Sequence, residues 1–343
     1  MKSILLIGTG GTIASSKGPE GLSPAYSADK LLEFVPGVFE IGNIDTFQIL
    51  NIDSTNIQPH HWLQIAAAIR EKYSQYDGFV ITHGTDTMAY TAAVLSYLIQ
   101  NNRKPIIITG SQKPIDAAVT DARSNLLDSI RFACEGVGGT YIVFNSSVIN
   151  GCRAVKVRTK SSNAFESINY PLVARIEGSF INYNPHYSIP QNHGEVKYFS
   201  SIATDVFLLK LMPGVRPDIF DFIMGKYRGL VIESFGNGGV PFIGDPNILN
   251  KIDALTKSGV IVVITTQCLL EGGDLTLYEV GQKAMKNPVI PAYDMTTEAA
   301  VTKLMWVLGQ ANDFNGIKKM FLSPVNNDLT LDDPSQDLLI YTS

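Results

Sequence analysis

Gly78-Phe79-Val80-Ile81-Thr82-His83-Gly84-Thr85-Asp86-Thr87 is the stretch that decides the reading of this chain. An apolar run of strand length opens directly onto two hydroxyls and a carboxylate. A parallel strand ending there holds Thr85 and Asp86 at the rim where open α/β sheets bind ligands. The same pattern stands at the start of the chain, where Ile4-Leu5-Leu6-Ile7 runs into Gly8-Thr9-Gly10-Gly11-Thr12-Ile13 and sets another threonine on a glycine-rich turn.

Residues 47–52, 105–109 and 141–144 are further short segments rich in Val, Ile and Phe, and 206–211, 229–233 and 260–265 continue the series. Helical spacing fills the gaps. Residues 59–73 place Trp62, Ile65, Ala66, Ile69 and Tyr73 on one face with Pro59 in the first turn; 88–100, 120–134, 218–224, 246–258 and 297–308 follow. This alternation predicts a mainly parallel sheet with helices on both faces. The rhythm breaks over 182–204, where Pro185, Pro190, Asn192 and Gly194 cluster. The expected division is a larger N-terminal α/β domain over 1–188, a linker over 189–205 with room for a small hairpin, and a smaller C-terminal α/β domain over 206–343.

A length of 343 residues accommodates two domains, and 45% apolar with 17% charged residues describes an ordinary globular chain. The net charge of −5 and the lack of long basic runs argue against nucleic acid or an anionic membrane as the main partner. Cys134, Cys152 and Cys268 are odd in number and lack metal-type spacing, so neither a disulfide framework nor a zinc site is expected. His60 and His61 are adjacent on a predicted helix and are expected to point apart, and His83 reads as structural. The apolar start is shorter than a signal-peptide core and flows into the glycine turn, and no apolar stretch reaches the ~20 residues needed to cross a bilayer. The expectation is a cytoplasmic protein with no metal and no cofactor.

The chemistry follows the strands. Thr12, then Asp53-Ser54-Thr55, then Thr85-Asp86, then Ser111-Gln112 each follow a predicted strand, and parallel strands lie only ~5 Å apart, so these side chains can enter one cleft. Hydroxyls with one or two carboxylates suit a small zwitterion: an aspartate for its ammonium, a serine for its carboxylate, a threonine to attack. A threonine hydroxyl is a weak nucleophile and needs a base, which Lys156 can supply if partial burial lowers its pKa. Simpler readings compete. A threonine after a strand commonly caps a helix, Asp86 can cap a helix starting near Thr87, and a lysine is by default solvated. A dinucleotide turn is a second reading of residues 8–13, although Ile13 replaces the third glycine of G-x-G-x-x-G. No G-x-S-x-G supports a serine hydrolase.

Taken together, TGGTI (9–13), DST (53–55), HGTDTM (83–88), TGSQ (109–112) and GCRAVK (151–156) resemble the bacterial-type L-asparaginases. Gly236-Asn237-Gly238, Thr266-Gln267-Cys268 and Asp294-Met295-Thr296-Thr297-Glu298-Ala299 extend the resemblance through the second half, and the chain is most similar to the cytoplasmic type I branch. The resemblance implies a two-domain asparaginase-like fold and hydrolysis of L-asparagine, with weak glutaminase activity possible in principle. It implies Thr12 as the nucleophile that forms an acyl-enzyme, and Thr85 and Lys156 in proton transfer. Asp86 then anchors the substrate ammonium, Ser54 and the backbone around Asp53 and Thr55 hold its carboxylate, and the Ser111 turn lies at the leaving amide. Backbone N–H groups of the loops at Gly11 and Thr85 form the implied oxyanion hole, and a homodimer or homotetramer is expected. One position departs: where many members carry a tyrosine on the loop after the first motif, this chain has Leu22, leaving Tyr26 or Tyr278 as a possible partner of Thr12. A related alternative is the amidotransferase component that supplies ammonia for tRNA-linked glutamate. Such chains carry an extra N-terminal domain, which a first strand at Ile4 does not lead us to expect here.

Overall fold

The computed structural model describes residues 1–19, 21–188, 194–244, 247–277, 279–286 and 288–330. The chain divides into two compact units, Met1–Ser200 and Ser201–Ser343.

The first unit is organised by an eight-stranded sheet. Its strands in chain order are β1 (Ser3–Gly10), β2 (Asn43–Ile52), β3 (Gly78–Thr82), β4 (Pro105–Thr109), β5 (Gly139–Phe144), β6 (Ser147–Asn150), β7 (Ala174–Glu177) and β8 (Phe180–Tyr183). Across the sheet they run β8-β7-β6-β5-β4-β3-β1-β2. The first five are mutually parallel, and β6 to β8 extend one side antiparallel. β3 and β4 are buried at every position, which is why they read as unbroken apolar runs. β2 lies at the opposite edge, and its residues are exposed or half-buried, none of them fully buried.

The parallel strands therefore follow the order 2-1-3-4-5. In that doubly wound arrangement the chain reverses direction across the sheet between β1 and β3, and the crevice outside their carboxyl ends is the ligand-binding position. Helices α1 (Pro59–Lys72), α2 (Met88–Leu98) and α3 (Ala122–Cys134) make the crossovers β2 to β3, β3 to β4 and β4 to β5. The apolar stripe of α3, Leu126, Ile130 and Ala133, joins Ile4, Leu6 and Val80 in one buried cluster. The helix expected over 88–100 stops at Leu98, because Ile99–Gln100 pairs instead with Lys197–Tyr198. Lys197–Tyr198 belongs to the segment expected as a linker with room for a small hairpin, of which residues 189–193 lie outside the described residues.

The second unit carries a four-stranded parallel sheet, β9 (Val206–Lys210), β10 (Gly229–Ser234), β11 (Ile261–Thr266) and β12 (Val289–Pro291), in sequential order. Helix α4 (Thr297–Leu308) opens on Thr296, whose hydroxyl accepts the Ala299 N–H at 3.1 Å. It is followed by α5 (Phe314–Phe321).

Candidate active site

The carboxyl ends of β1, β2, β3 and β4 deliver Thr12, Ser54, Thr85 and Ser111 to one rim. At β1 a register shift between Gly8 and Gly10 against β2 re-aims the strand end. Gly11 then takes a φ of 80° and lies so close to the 83–85 loop that a Cβ there would fall 2.3 Å from the Gly84 nitrogen. Only glycine fits both the left-handed backbone and the contact. Thr12–Ala14 follow as one turn of 3-10 helix, and Ser15–Gly18 pairs with Gly21–Pro24 in a hairpin. A dinucleotide motif needs an α-helix to open at this turn, and the first one here begins at Ala28.

Ser54 is buried and ties two strand ends together. Its hydroxyl accepts the Asp86 N–H at 3.3 Å, and its carbonyl accepts from the Thr87 hydroxyl at 2.8 Å. Thr87 occupies the N-cap position of α2 without a side-chain capping bond, so Asp86 is not spent on that helix. Asp86 instead meets Lys156. The Lys156 ammonium donates to Thr85 Oγ1 at 2.7 Å and to Asp86 Oδ1 at 2.5 Å. Lys156 reaches them from the short strand Ala154–Lys156, paired antiparallel with Phe165–Ser167. Its side chain is 16% exposed against 56% for Asp86, so the lysine is the shielded partner.

Several expectations are redistributed. Asp53 Oδ1 accepts both the N–H (2.8 Å) and the hydroxyl (2.7 Å) of Thr55, so both side chains close their own turn. Ser111 is fully buried, and its hydroxyl donates to the Lys113 carbonyl. The Gly11 N–H donates to the Ile52 carbonyl at 3.0 Å and is unavailable to an oxyanion. Tyr26 does not face Thr12 with its hydroxyl, which donates to Asp116 at 3.0 Å while its ring packs edge-on against Phe34. Leu22 is 55% exposed on the hairpin. Tyr278 lies outside the described residues.

Beneath the site, sequence reasoning assigns His83 only a structural place, and its partners define one. The Trp62 indole donates to the Thr91 hydroxyl (2.9 Å), Thr91 meets His83 Nε2 (3.0 Å), and His83 Nδ1 meets the Gly84 carbonyl (2.7 Å). A carbonyl only accepts, so Nδ1 carries the proton, Nε2 accepts, and the ring is neutral. Burial pushes the His83 pKa down to about 4. The unfolded chain therefore binds this proton first, and the associated stability, present above the ordinary value near 6.5, is lost as pH falls through 4. The full effect is about 3 kcal/mol. The partly buried Glu298 has the opposite sign: desolvation, with a contribution from Glu233, pushes it up to about 7, favouring the fold below 4.5 and losing that advantage as pH rises through 7. Urea unfolding of His83→Gln should show a destabilisation markedly larger at pH 7 than at pH 4; an equal penalty at both would mean that His83 takes up a proton within the fold.

Among the described residues no group of three His, Cys, Asp or Glu side chains could hold a metal ion, and no helix is long and apolar enough to cross a membrane. Two family models match: "Asparaginase, N-terminal" over residues 3–188 and "Glutaminase/Asparaginase C-terminal domain" over 205–321. The L-asparaginase of Thermococcus kodakarensis is 41% identical over 330 residues, 95% of this chain and 99% of that protein. Its solved structure superposes with a TM-score of 0.90, covering 96% of this chain and all of that one. L-asparaginase I from Vibrio cholerae gives a TM-score of 0.86 at 31% identity, over 96% of this chain and 99% of that one. A glutamyl-tRNA(Gln) amidotransferase component from Pyrococcus furiosus is 36% identical across 96% of this chain but only 77% of its own length. With both family models matched in order and a rim of threonines at the sheet's switch point, the chain belongs to the asparaginase family.

Proposed function

We propose that this protein is an L-asparagine amidohydrolase that releases ammonia and L-aspartate through a threonyl ester. The observation that carries the reading is the Lys156 ammonium bonded to Thr85 and Asp86 at the β1/β3 crevice, beside the turn that bears Thr12. In this reading Thr12 Oγ attacks the side-chain amide carbon, the C–N bond breaks, and the nitrogen leaves as ammonia with the proton taken from the nucleophile. Water then cleaves the ester, restoring the Thr12 hydroxyl and releasing the new carboxylate. Thr85 and Lys156 relay the protons.

Asp86, the more exposed member of the pair, faces the substrate ammonium, and Ser54 its carboxylate. Asp53 and Thr55 act through the backbone of the turn they close. Among the described residues no acceptor is bonded to the N–H of Thr12 or of Thr85, which supports these two as the oxyanion donors in place of Gly11. A cytoplasmic location fits three free cysteines. Self-association as a homodimer or homotetramer fits the exposure of Ile243, Leu270 and Leu277, and sedimentation showing a monomer at micromolar concentration would exclude it.

The identity to an amidotransferase component gives a second reading in which a partner protein is required. Ammonia release by the purified chain alone, with L-asparagine and L-glutamine compared, separates the two. Turnover of asparagine without a partner supports the hydrolase. No ammonia from either amino acid until a partner is added supports the transferase.

A further inference from the structure

The turn that carries Ser111 is held from behind by one helix. Asp121 stands at the N-cap position of α3, where an aspartate ordinarily accepts the helix's own first N–H groups. Here it makes no capping bond. Thr120 accepts the Ala122 N–H instead, at 3.0 Å. Both Asp121 oxygens are turned to the loop: Oδ2 accepts the Gln112 N–H at 2.9 Å and Oδ1 the Lys113 N–H at 3.1 Å.

One turn along, Asn125 is fully buried. Its amide nitrogen donates to the Gly110 carbonyl at 2.9 Å and to Asp121 Oδ2 at 3.4 Å, and its oxygen accepts the Asn145 N–H at 2.9 Å. Gly110 is pressed on its other side against the 83–85 loop, since a Cβ there would lie 2.2 Å from the His83 carbonyl oxygen. A carboxylate and an amide on one helix face thus fix backbone groups at 110, 112 and 113 of the turn, without reaching the crevice themselves.

We propose that Asp121 and Asn125 are positioning residues for the hydrolysis, setting the Ser111 turn against which the leaving amide is held. The inference rests on the asparagine-hydrolysing reading of the site. Because Asp121 and Asn125 act on the amide end of the substrate, their loss falls on kcat more than on KM, whose main contacts at Ser54 and Asp86 are untouched. An error of about 1 Å at a reacting group is worth up to about 100-fold in rate.

Two variants test this, each compared with wild type for asparagine kinetics and for hydrogen exchange at the amides of 112 and 113. Asp121→Asn keeps the shape but turns an N–H donor toward one of the two loop N–H groups. It should lower kcat by about 10- to 100-fold, leave KM nearly unchanged and speed exchange at 112 and 113. Asn125→Asp loses its donor to Gly110 when ionised and regains one when protonated. Its kcat relative to wild type should climb as the pH is lowered, a signature that a merely packed residue would not give. A folded Asp121→Asn with wild-type kcat, or with unchanged exchange at 112 and 113, overturns the proposal. Should Asn125→Asp fail to fold, the half-buried Asp121→Asn decides alone. If wild type itself releases no ammonia, the hydrolase reading falls, whereas the exchange measurement still reports whether the clamp holds the turn.

Discussion

Lys156→Met is expected to lower kcat for asparagine by about 10²–10⁴-fold while leaving the fold intact. Among the described residues the lysine is the only cation bonded to both Thr85 Oγ1 and Asp86 Oδ1, so in the proposed mechanism its removal breaks the relay at its central link. Stability is spared for a separate reason. Asp86 is 56% exposed, and an unpaired carboxylate at that exposure is solvated at a cost of only ~0–1 kcal/mol. Lys156→Arg should not rescue the rate, because a guanidinium does not give up its proton near neutral pH. Steady-state kinetics beside thermal melting decide the point. A loss of activity that tracks a lowered melting temperature would assign Lys156 to the scaffold instead.

The largest expected effect on stability lies in the second unit. Lys303 on α4 and Asp328 are both fully buried and meet at 2.6 Å. Lys303 also donates to the Ser323 carbonyl at 2.9 Å, and Asp328 Oδ1 accepts the Val325 N–H at 2.8 Å. The pair fastens the segment after α5 to α4. Lys303→Met leaves a buried carboxylate without its cation and should cost about 3–5 kcal/mol. The double variant Lys303→Met with Asp328→Asn should recover much of that loss, since the asparagine keeps an acceptor for Val325 and carries no charge. Urea unfolding of the single and double variants measures both. A single-variant penalty below about 1 kcal/mol would show that water reaches Asp328.

Much of this architecture is legible from residues alone, for definable reasons. Residues 105–109 and 297–308 coincide with a strand and a helix because their bounds are chemical. Pro105 opens the strand and Gly110 closes it, while Thr296 caps the helix and Gly309 ends it. The hairpin at 15–24 is not legible, because Ser-Ser-Lys-Gly carries little apolar alternation and its exposed residues bury nothing. The antiparallel step from β5 to β6 is hidden by its turn. Asn145 and Ser146 both adopt positive φ, at 49° and 56°, without the Asn-Gly signal that normally marks such a pair.

Within the site, each strand-end threonine can be found from an apolar run followed by hydroxyls. The meeting of Lys156 with Thr85 and Asp86 spans some seventy residues and follows from no local pattern, only from the family motifs. Asp121 shows the reverse case. Thr-Asp before a helix reads as an ordinary cap, whereas its carboxylate serves a neighbouring loop.

Whether Thr12 is the nucleophile of an asparagine-hydrolysing site is decided by ammonia release from L-asparagine by wild type, Thr12→Ala and Thr85→Ala, with circular dichroism on the same samples. Wild type should turn over asparagine, and the folded variants should be slowed by about 10³-fold or more. A folded Thr12→Ala that turns over asparagine within about tenfold of wild type would contradict that role.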